Sequence, residues 1–594
     1  MGVPGFVAWL YKNHKNSNFI FKNLFTDSNI DINSVEYLLI DTNCLIHPQA
    51  RNICLEYPNL VESNLELLES KIIKQVIKYI EMIISELNPT KTVYIAIDGV
   101  APMAKIKHQR LRRFKSAYDT KMNEELLKKH NRPIEKQWNT SAITPGTTFM
   151  DKLMRHILNW INKNEFKCQI IFSSSYSPGE GEHKILQYVK TATDIVEGDN
   201  IVIYGLDADL LFLSLALEKN RIFLMRETSQ MEIDTTKCDE GFSYLSIDTL
   251  KDIIYAEMTI RLSKTREWSK LRIINDFVFL CYFCGNDFLP NIPSLTIKPH
   301  NKKIINGIDT IIQTYTTVMD NQVDLSKFLI HKNSSNDVIH IDQQIFLDIL
   351  KDLSDQETVY FNDHFKFKRQ IRYSDQRDPY LNEKHNYEEN IIKNYHDPIQ
   401  LGDPLTKLSE WKQKYYKTYF NVDIDVDVSD STESLNDIID EYIHGMIWTT
   451  HYYYSKCKNY EWFYEYHNGP FISDILNYLT KYPDRISYYE NLYSVNGIWF
   501  ENMIKPLHQL MLVLPHESSY LLPSIYRNLM YSNRLKKYFP DRIMDIKFDY
   551  LYKNKAWQNI PMIEIIDPNQ IINLTSQIVT DEYDRNKLYD IYIK

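Results

Sequence analysis

The sequence is short of cysteine and glycine, and it has no long apolar run. Seven Cys in 594 residues, an odd number without a dense cluster, argue against a disulfide scaffold and for a reducing compartment. Only 15 Gly occur, which excludes a collagen-like chain. No stretch of about 18 apolar residues is present, so we expect no transmembrane helix. The N-terminal segment, MGVPGFVAWL, lacks the basic region and the cleavage site of a secretory signal, which predicts a protein outside the secretory pathway.

The composition is otherwise that of a folded globular protein. Hydrophobic residues make up 44% and charged residues 25% of the chain, values that are ordinary for a protein with a large core. The length is about four times the roughly 150 residues of a typical domain, so we expect two or more packed parts. The net charge of −10 argues against indiscriminate nucleic-acid binding but leaves room for a local basic site.

Short apolar runs alternate with longer helical patterns in the first half of the chain. Four runs are compact and β-branched: YLLID, TVYIAID, QIIFSSS and NIVIYGLDAD. Runs of this kind are typical of strands buried on both faces, so they predict an α/β fold with a mostly parallel sheet flanked by helices. We expect residues 1–320 to form this domain, 321–440 a more polar region of helices and loops, and 441–594 an aromatic-rich, largely helical region packed on it.

Acidic side chains follow all four predicted strands. Asp41 ends the first run and Asp98 the second. The loops after the third and fourth runs carry two acids each, and one more acid follows an apolar helical run: Glu180, Glu182, Asp207, Asp209 and Asp287. One acid after a strand is common in turns and caps, but acids after four parallel strands meet at one edge of the sheet. Clustered carboxylates repel each other unless cations neutralise them, and hard oxygen ligands suit Mg²⁺ or Mn²⁺. The pattern therefore predicts phosphoryl transfer with two metal ions.

A basic segment follows Asp98 directly. Residues 105–136 contain eleven Lys or Arg and four acids, a local net charge of +7. Four of its side chains recur at helical spacing on one face: Lys105, Gln109, Arg112 and Arg113. Such a face can hold a phosphate by charge-assisted bonds, although a charge run can also be a merely solvated helix. Beside a carboxylate site it indicates a nuclease that holds one phosphate and cuts another.

These motifs, in this order, resemble the Xrn family of 5′→3′ exoribonucleases along nearly the whole chain. The similar segments in the first half are MGVP, IDTNCLIH, DGVAPMAKIKHQRLRRF, PGEGEHKI, YGLDADLLFLSLA and GNDFLP. In the second half they are HYYYSKC, WFYEYH and LVLPHESSYLLP. The resemblance implies that the second half completes the active site.

The resemblance also implies residue roles. The seven acids would bind two Mg²⁺ or Mn²⁺ ions: Asp41, Asp98, Glu180, Glu182, Asp207, Asp209 and Asp287. The basic face would form the pocket for a 5′-monophosphate: Lys105, Gln109, Arg112 and Arg113. His47 would stack on the first base, and an aromatic from the second half would sandwich that base. Trp448 is the choice here, with Trp462 as the alternative.

The sequence departs from the family pattern at a few positions. Cys44 stands where the family usually has Gly, Met103 replaces an Arg, and Lys107 with His108 replaces a polar pair. None of these positions carries a role above. The chain also stops soon after the second block, without the long C-terminal extensions of the large cytoplasmic members.

The function that we expect is stepwise degradation of 5′-monophosphorylated single-stranded RNA to nucleoside 5′-monophosphates, in RNA turnover after decapping. The expected partners are the RNA and decapping factors, with no membrane and a monomeric protein. We expect the cytoplasm, with the nucleus as the alternative compartment. Two other functions remain open: a structure-specific DNA flap nuclease, and a catalytically inactive RNA-binding scaffold.

Overall fold

The structure is a computed structural model. It describes residues 3, 5–14, 19–21, 24–25, 32–205, 208–228, 241–262, 268–297, 305–324, 326–333, 338–365, 376–390, 408–424, 433–494, 504–550, 553, 556–576, 578, 585 and 591–594. One predicted site residue, Asp207, lies outside these residues.

An eight-stranded sheet forms the centre of the first half. Its strands, in chain order, are β1 (Ile20–Phe21), β2 (Tyr37–Asp41), β3 (Thr92–Ala96), β4 (Gln169–Ser173), β5 (Ile201–Tyr204), β6 (Ile222–Glu227), β7 (Phe242–Ser246) and, near the C-terminus, β12 (Tyr592–Ile593). The spatial order is β1-β7-β6-β5-β2-β3-β4-β12. The five central strands are parallel, and antiparallel strands lie only towards the two edges. The predicted α/β fold with a mostly parallel sheet is confirmed.

The four predicted strands are β2, β3, β4 and β5, and they are neighbours in the sheet. Every residue of β2, β3 and β5 is buried, as the apolar runs indicated. Helices of the first half cover both faces: α1 (Phe6–Asn13), α2 (Thr42–Glu56), α3 (Leu60–Ser63), α4 (Leu65–Leu87), α5 (Met103–Lys129), α6 (Thr148–Lys163), α7 (Gly181–Thr191), α8 (Ala208–Leu215), α9 (Ile247–Thr259), α10 (Lys270–Leu280) and α11 (Gly307–Asp320).

The described second half is mostly helical. Its helices are α12 (Gln343–Phe365), α13 (Pro379–His385), α14 (Leu408–Phe420), α15 (Glu433–Tyr454), α16 (Ile472–Lys481), α17 (Arg485–Ser494), α18 (Pro506–Val513), α19 (Ser524–Met530) and α20 (Pro568–Thr575). Two small hairpins accompany them: β8 (Ile330–Asn333) with β9 (Val338–Ile341), and β10 (Phe548–Asp549) with β11 (Ile560–Pro561). The division of the chain at 320 and 440 stays a prediction.

Packing between the two halves is extensive. One apolar cluster runs from the sheet, at Leu39, through Phe277 of α10 to Trp448 of α15. A second cluster joins Phe114 of α5 to Leu510 and Met511 of α18. Helix α5 is therefore enclosed by both halves, which fixes its position beside the sheet. Within the described residues, no helix is both long and apolar enough to cross a membrane.

Candidate active site

A cavity of about 830 Å³ lies at the carboxyl ends of β2, β3 and β4, beside α5. It collects nine of the predicted site residues: Asp41, His47, Asp98, Lys105, Gln109, Arg112, Arg113, Glu180 and Glu182. Among the other predicted residues that the structure describes, Asp209, Asp287 and Trp448 lie outside the cavity wall. The short turn His516–Leu521 of the second half closes one side with Glu517, Ser518 and Tyr520, which sequence reasoning missed.

The sheet register brings the first acids together. Asp41 is the last residue of β2 and pairs with Ala96, the last residue of β3. Asp98 follows two residues later, and its Oδ1 accepts a 2.6 Å hydrogen bond from the backbone N–H of Gly181. A Cβ at Gly181 would lie 2.7 Å from Oδ1 of Asp41. Glycine therefore lets the N-terminus of α7, which carries Glu180 and Glu182, approach the other acids closely.

The ammonium group of Lys105 lies in the middle of the carboxylates. Its Nζ is 2.8 Å from Oε1 of Glu180 and 2.8 Å from Oδ2 of Asp287. It is also 3.5 Å from Asp209 and 3.9 Å from Glu182. Although burial acts in the opposite direction, these carboxylates raise the pKa of Lys105 well above its usual range. Asp209 and Asp287 thus belong to the same cluster as the acids that line the cavity.

The carboxylate cluster fits a small hard cation in its chemistry. Four buried carboxylates converge on one ammonium group, which acts as a stand-in cation, and carboxylate oxygens are the ligands that Mg²⁺ and Mn²⁺ prefer. Across the described part of the chain, no group of three or more His, Cys, Asp or Glu is arranged to hold a metal ion. The acids close around Lys105 instead. The metal-ligand set stays a prediction.

Neighbouring side chains hold individual acids in place. The hydroxyl of Tyr452, from α15, donates a 2.7 Å hydrogen bond to Oε2 of Glu180. The ring of His183 stacks on Tyr452 with centroids 4.1 Å apart. The amide of Asn43 donates to Oδ2 of Asp98 at 2.8 Å. The second half thereby touches the acid cluster directly, a contact that only the HYYYSKC resemblance could have suggested.

The pKa values of two of these acids are shifted in opposite directions. His108, whose Nδ1 is 3.2 Å from Asp287, acts with Lys105 to lower the pKa of Asp287 well below its usual range, against the effect of burial. Burial raises the pKa of Glu180, with Lys105 opposing it. The cluster therefore depends on its nearby cations for the charge that it carries.

The rest of the predicted phosphate-binding face points at the cavity from α5. Arg112 is exposed, and Arg113 donates a 2.6 Å hydrogen bond to Oγ1 of Thr144. Burial and the charge of Arg112 lower the pKa of Arg113 to about 9, so its guanidinium is positively charged at neutral pH. Oε1 of Gln109 accepts a 3.1 Å hydrogen bond from Nε2 of Gln509. Two guanidinium groups and an amide thus line the cavity.

The two predicted base-stacking residues occupy different environments. His47 lines the cavity and is an exposed residue. Desolvation by the surrounding protein and the charges of Arg112 and Arg113 lower the pKa of His47 to about 4, which leaves a neutral ring at neutral pH.

Trp448 instead lies in the core, with 1% of its surface exposed. Its indole N–H donates to the carbonyl of Asn459 at 2.8 Å, and its ring packs against Phe288, Tyr452 and Trp462. Trp462, the alternative, is also buried. Both indoles are thus buried, and the choice of Trp448, with Trp462 as the alternative, stays a prediction. The exposed aromatic in the cavity wall is Tyr520, at 53%.

The fold and the cavity define a class of protein: an α/β protein whose carboxylates, at one end of a parallel sheet, adjoin arginines suited to a phosphate group. The chain belongs to the XRN 5′-3′ exonuclease family. Residues 1–228 match the family profile described as "XRN 5'-3' exonuclease N-terminus". Residues 267–394 and 331–593 match the profile described as "Xrn1 helical domain". The predicted family is confirmed.

Similar curated proteins carry the names 5'-3' exoribonuclease 1 and 5'-3' exoribonuclease 2. The chain is 29% identical to 5'-3' exoribonuclease 1 of Homo sapiens over 96% of this chain and 34% of that protein. It is 24% identical to 5'-3' exoribonuclease 2 of Candida albicans over 99% of this chain and 74% of that protein. It is 25% identical to 5'-3' exoribonuclease 1 of Saccharomyces cerevisiae over 90% of this chain and 41% of that protein. The chain thus spans about a third of the human relative's length.

Proposed function

We propose that the chain is a 5′→3′ exoribonuclease that degrades 5′-monophosphorylated single-stranded RNA to nucleoside 5′-monophosphates. The observation that carries this proposal is that strand-end carboxylates and the arginine face of α5 line one and the same cavity. Family membership supports it, as do relatives named 5'-3' exoribonucleases.

The acids would hold two divalent cations, which supply an activated water and stabilise the leaving oxygen. The residues for this role are the predicted set: Asp41, Asp98, Glu180, Glu182, Asp207, Asp209 and Asp287. The protein's part is positioning. Arg112 and Arg113 hold the terminal phosphate, and the neutral ring of His47 offers a face to the first base. An anchored end and a stacked base set the first internucleotide phosphate against the carboxylates.

The same geometry explains the proposed choice of RNA end. A 5′-monophosphate carries close to two negative charges at neutral pH, so it gains more from Arg112 and Arg113 than an internal phosphodiester does. A 5′-hydroxyl leaves both guanidinium groups without an anion. A triphosphate or cap adds charge and bulk beyond the single phosphate that these two guanidinium groups would hold. The enzyme would therefore act on RNA after decapping, and decapping factors are candidate partners. We also propose that it is a monomer and acts in the cytoplasm.

The first experiment follows a single-stranded RNA labelled at its 5′-phosphate, incubated with the protein and Mg²⁺. We expect labelled mononucleotide as the first product and no product in EDTA. A ladder of labelled fragments would indicate an endonuclease, and cleavage confined to a DNA flap substrate would indicate the flap nuclease. RNA binding without any cleavage would indicate a scaffold.

The second experiment compares one RNA prepared with a 5′-monophosphate or a 5′-hydroxyl. We expect the monophosphate form to disappear at least about ten-fold faster, because one lost charge-assisted contact of about 1.4 kcal/mol is already a factor of ten. Equal rates on the two ends would contradict the proposed end recognition while leaving exonuclease activity in place.

A further inference from the structure

Lys105 and the arginines of the phosphate-binding face make different contacts. Lys105 lies in the first turn of α5, and its ammonium group contacts carboxylates of Glu180 and Asp287 at 2.8 Å. Arg112, two turns further along the helix, is exposed at the cavity. In this arrangement the Lys105 ammonium contacts the acids. The family resemblance implied a different role, contact with a phosphate.

Charge explains why the ammonium lies there. Four carboxylates lie within 4 Å of a single Nζ atom, and buried carboxylates repel one another strongly unless a cation neutralises them. The ammonium occupies the point on which these oxygens converge. A divalent cation bound by the same oxygens would meet the Lys105 charge at a distance where like charges repel. The two cations therefore compete for one place.

We propose that Lys105 is the internal counter-ion of the carboxylate cluster and that a divalent cation displaces its ammonium group, which then becomes a ligand for the substrate's terminal phosphate. The inference rests on the proposed function, since it needs both a cation site and a phosphate ligand. The long, flexible stem of lysine allows the ammonium group to move while the helix stays in place. Cation binding and phosphate recognition are then coupled, and each strengthens the other.

The wild-type protein alone tests the coupling. The probe is a short RNA with hydrolysis-resistant phosphorothioate linkages, labelled at its 3′ end and carrying a 5′-phosphate or a 5′-hydroxyl. In EDTA we expect a small difference between the dissociation constants for the two ends. With Mg²⁺ or Mn²⁺ we expect the preference for the 5′-phosphate to grow about ten-fold, the effect of one added charge-assisted contact. An equal preference with and without the cation would overturn the proposal.

Variants test the counter-ion directly through thermal unfolding. In EDTA, Lys105→Met should melt at a lower temperature than the wild type, because its carboxylates lose their counter-ion. Mn²⁺ should raise the melting temperature of Lys105→Met more than that of the wild type, since no ammonium competes. Equal melting temperatures of the two proteins in EDTA, or equal shifts with Mn²⁺, would contradict the counter-ion role.

A matched control lies on the same helix. The ammonium group of Lys107 is buried as well, but it donates to the carbonyls of Tyr464 and Tyr466 at 2.6 Å. Lys107→Met should therefore lower the melting temperature without changing the shift that Mn²⁺ produces. If Lys105→Met does not fold, Lys105→Gln, which keeps a polar group and loses the charge, serves in the same measurements.

Failure of this inference and failure of the proposed function give different results. A wild type that degrades 5′-phosphorylated RNA but shows the same end preference with and without cation retains the function and overturns the exchange. A wild type that degrades no RNA, yet whose Lys105→Met variant shows the larger Mn²⁺ shift, retains the exchange and overturns the function.

Discussion

The two faces of α5 carry the same kinds of side chain and do different things. On one face, Gln109, Arg112 and Arg113 line the cavity. On the other, Lys107 and Arg110 are buried against the second half of the chain. Both sets belong to the one basic segment that the sequence shows. Helical spacing assigns them to different faces, but it does not tell which face the second half covers.

Arg110 shows what the second face does. Its guanidinium donates to the carbonyls of Leu512, Tyr538 and Glu564, and it packs over the rings of Phe114 and Phe539, 4.5 and 5.1 Å from their centroids. Only 1% of the residue is exposed, and burial lowers its pKa to about 9. Arg110 thus ties the C-terminal part of the chain to α5.

The surplus of positive charge in this segment therefore does not tell how many of its basic side chains face a ligand site. Part of it neutralises the acids through Lys105, and part of it satisfies backbone carbonyls through Lys107 and Arg110. Two arginines remain at the cavity wall. Which face serves the substrate is decided by what the second half covers.

The largest expected effect falls on the acid cluster next to the cavity face. Asp209→Ala should reduce RNA cleavage by about 10²- to 10³-fold or more, because losing a carboxylate removes electrostatic stabilisation of the transition state. RNA binding should be largely kept. The melting temperature should not fall, since repulsion among the acids is relieved. Wild-type cleavage rates from the purified variant would show that Asp209 is not part of the catalytic set.

Arg110, on the face of α5 that is buried against the second half, should affect stability rather than cleavage. Arg110→Met should destabilise the chain by about 2–4 kcal/mol, because three backbone carbonyls, two of them in buried residues, lose their donor. Thermal and urea unfolding measure this loss, and limited proteolysis locates it in the C-terminal part. The end preference of the remaining folded protein should equal that of the wild type. A stable Arg110→Met protein with altered end preference would show that Arg110 belongs to the substrate site and that the two faces of α5 do not have separate functions.

The central sheet and most of the cavity follow from local sequence signals. The apolar runs predicted β2 to β5. An acid just after a parallel strand can lie only at the end of the sheet where the carboxyl ends of the strands meet. Cys281 and Cys284 lie in the apolar run FLCYFC and are core residues. Local composition was enough at these positions, because burial on both faces leaves a short run of apolar, β-branched residues.

Contacts between distant segments could not be predicted in the same way. Trp448 packs among the rings of Phe288 and Trp462 in the core, a placement that its local sequence did not specify. The hydrogen bond from Tyr452 to Glu180 joins residues 272 positions apart. The position of Lys105 depends on where four acids from three separate segments converge. Tertiary packing sets each of these outcomes.

The next prediction concerns His47, the proposed base-stacking residue of the cavity. His47→Ala should slow degradation by roughly 5- to 150-fold, since stacking of a base on a ring is worth about 1–3 kcal/mol. The effect should be similar for all four first bases. Because the pKa of His47 is about 4, the ring stays neutral and the deficit should be constant between about pH 6 and pH 8. A deficit that depends on the identity of the first base would mean that His47 contacts base edges.

The smallest expected effect, and the most selective, belongs to Arg112. Its side chain is exposed at the cavity, so Arg112→Ala should leave the melting temperature unchanged. It should slow degradation of 5′-monophosphate RNA by about ten-fold, the effect of one charge-assisted contact. The 5′-hydroxyl form should be slowed less, because it brings no terminal phosphate to this guanidinium. The measurement is a pair of time courses on one RNA prepared with each end, for the wild type, Arg112→Ala and Arg110→Met. If Arg112→Ala slows both ends equally, the cavity face of α5 is a general RNA-binding surface; only unequal slowing makes it a site for the end of the chain.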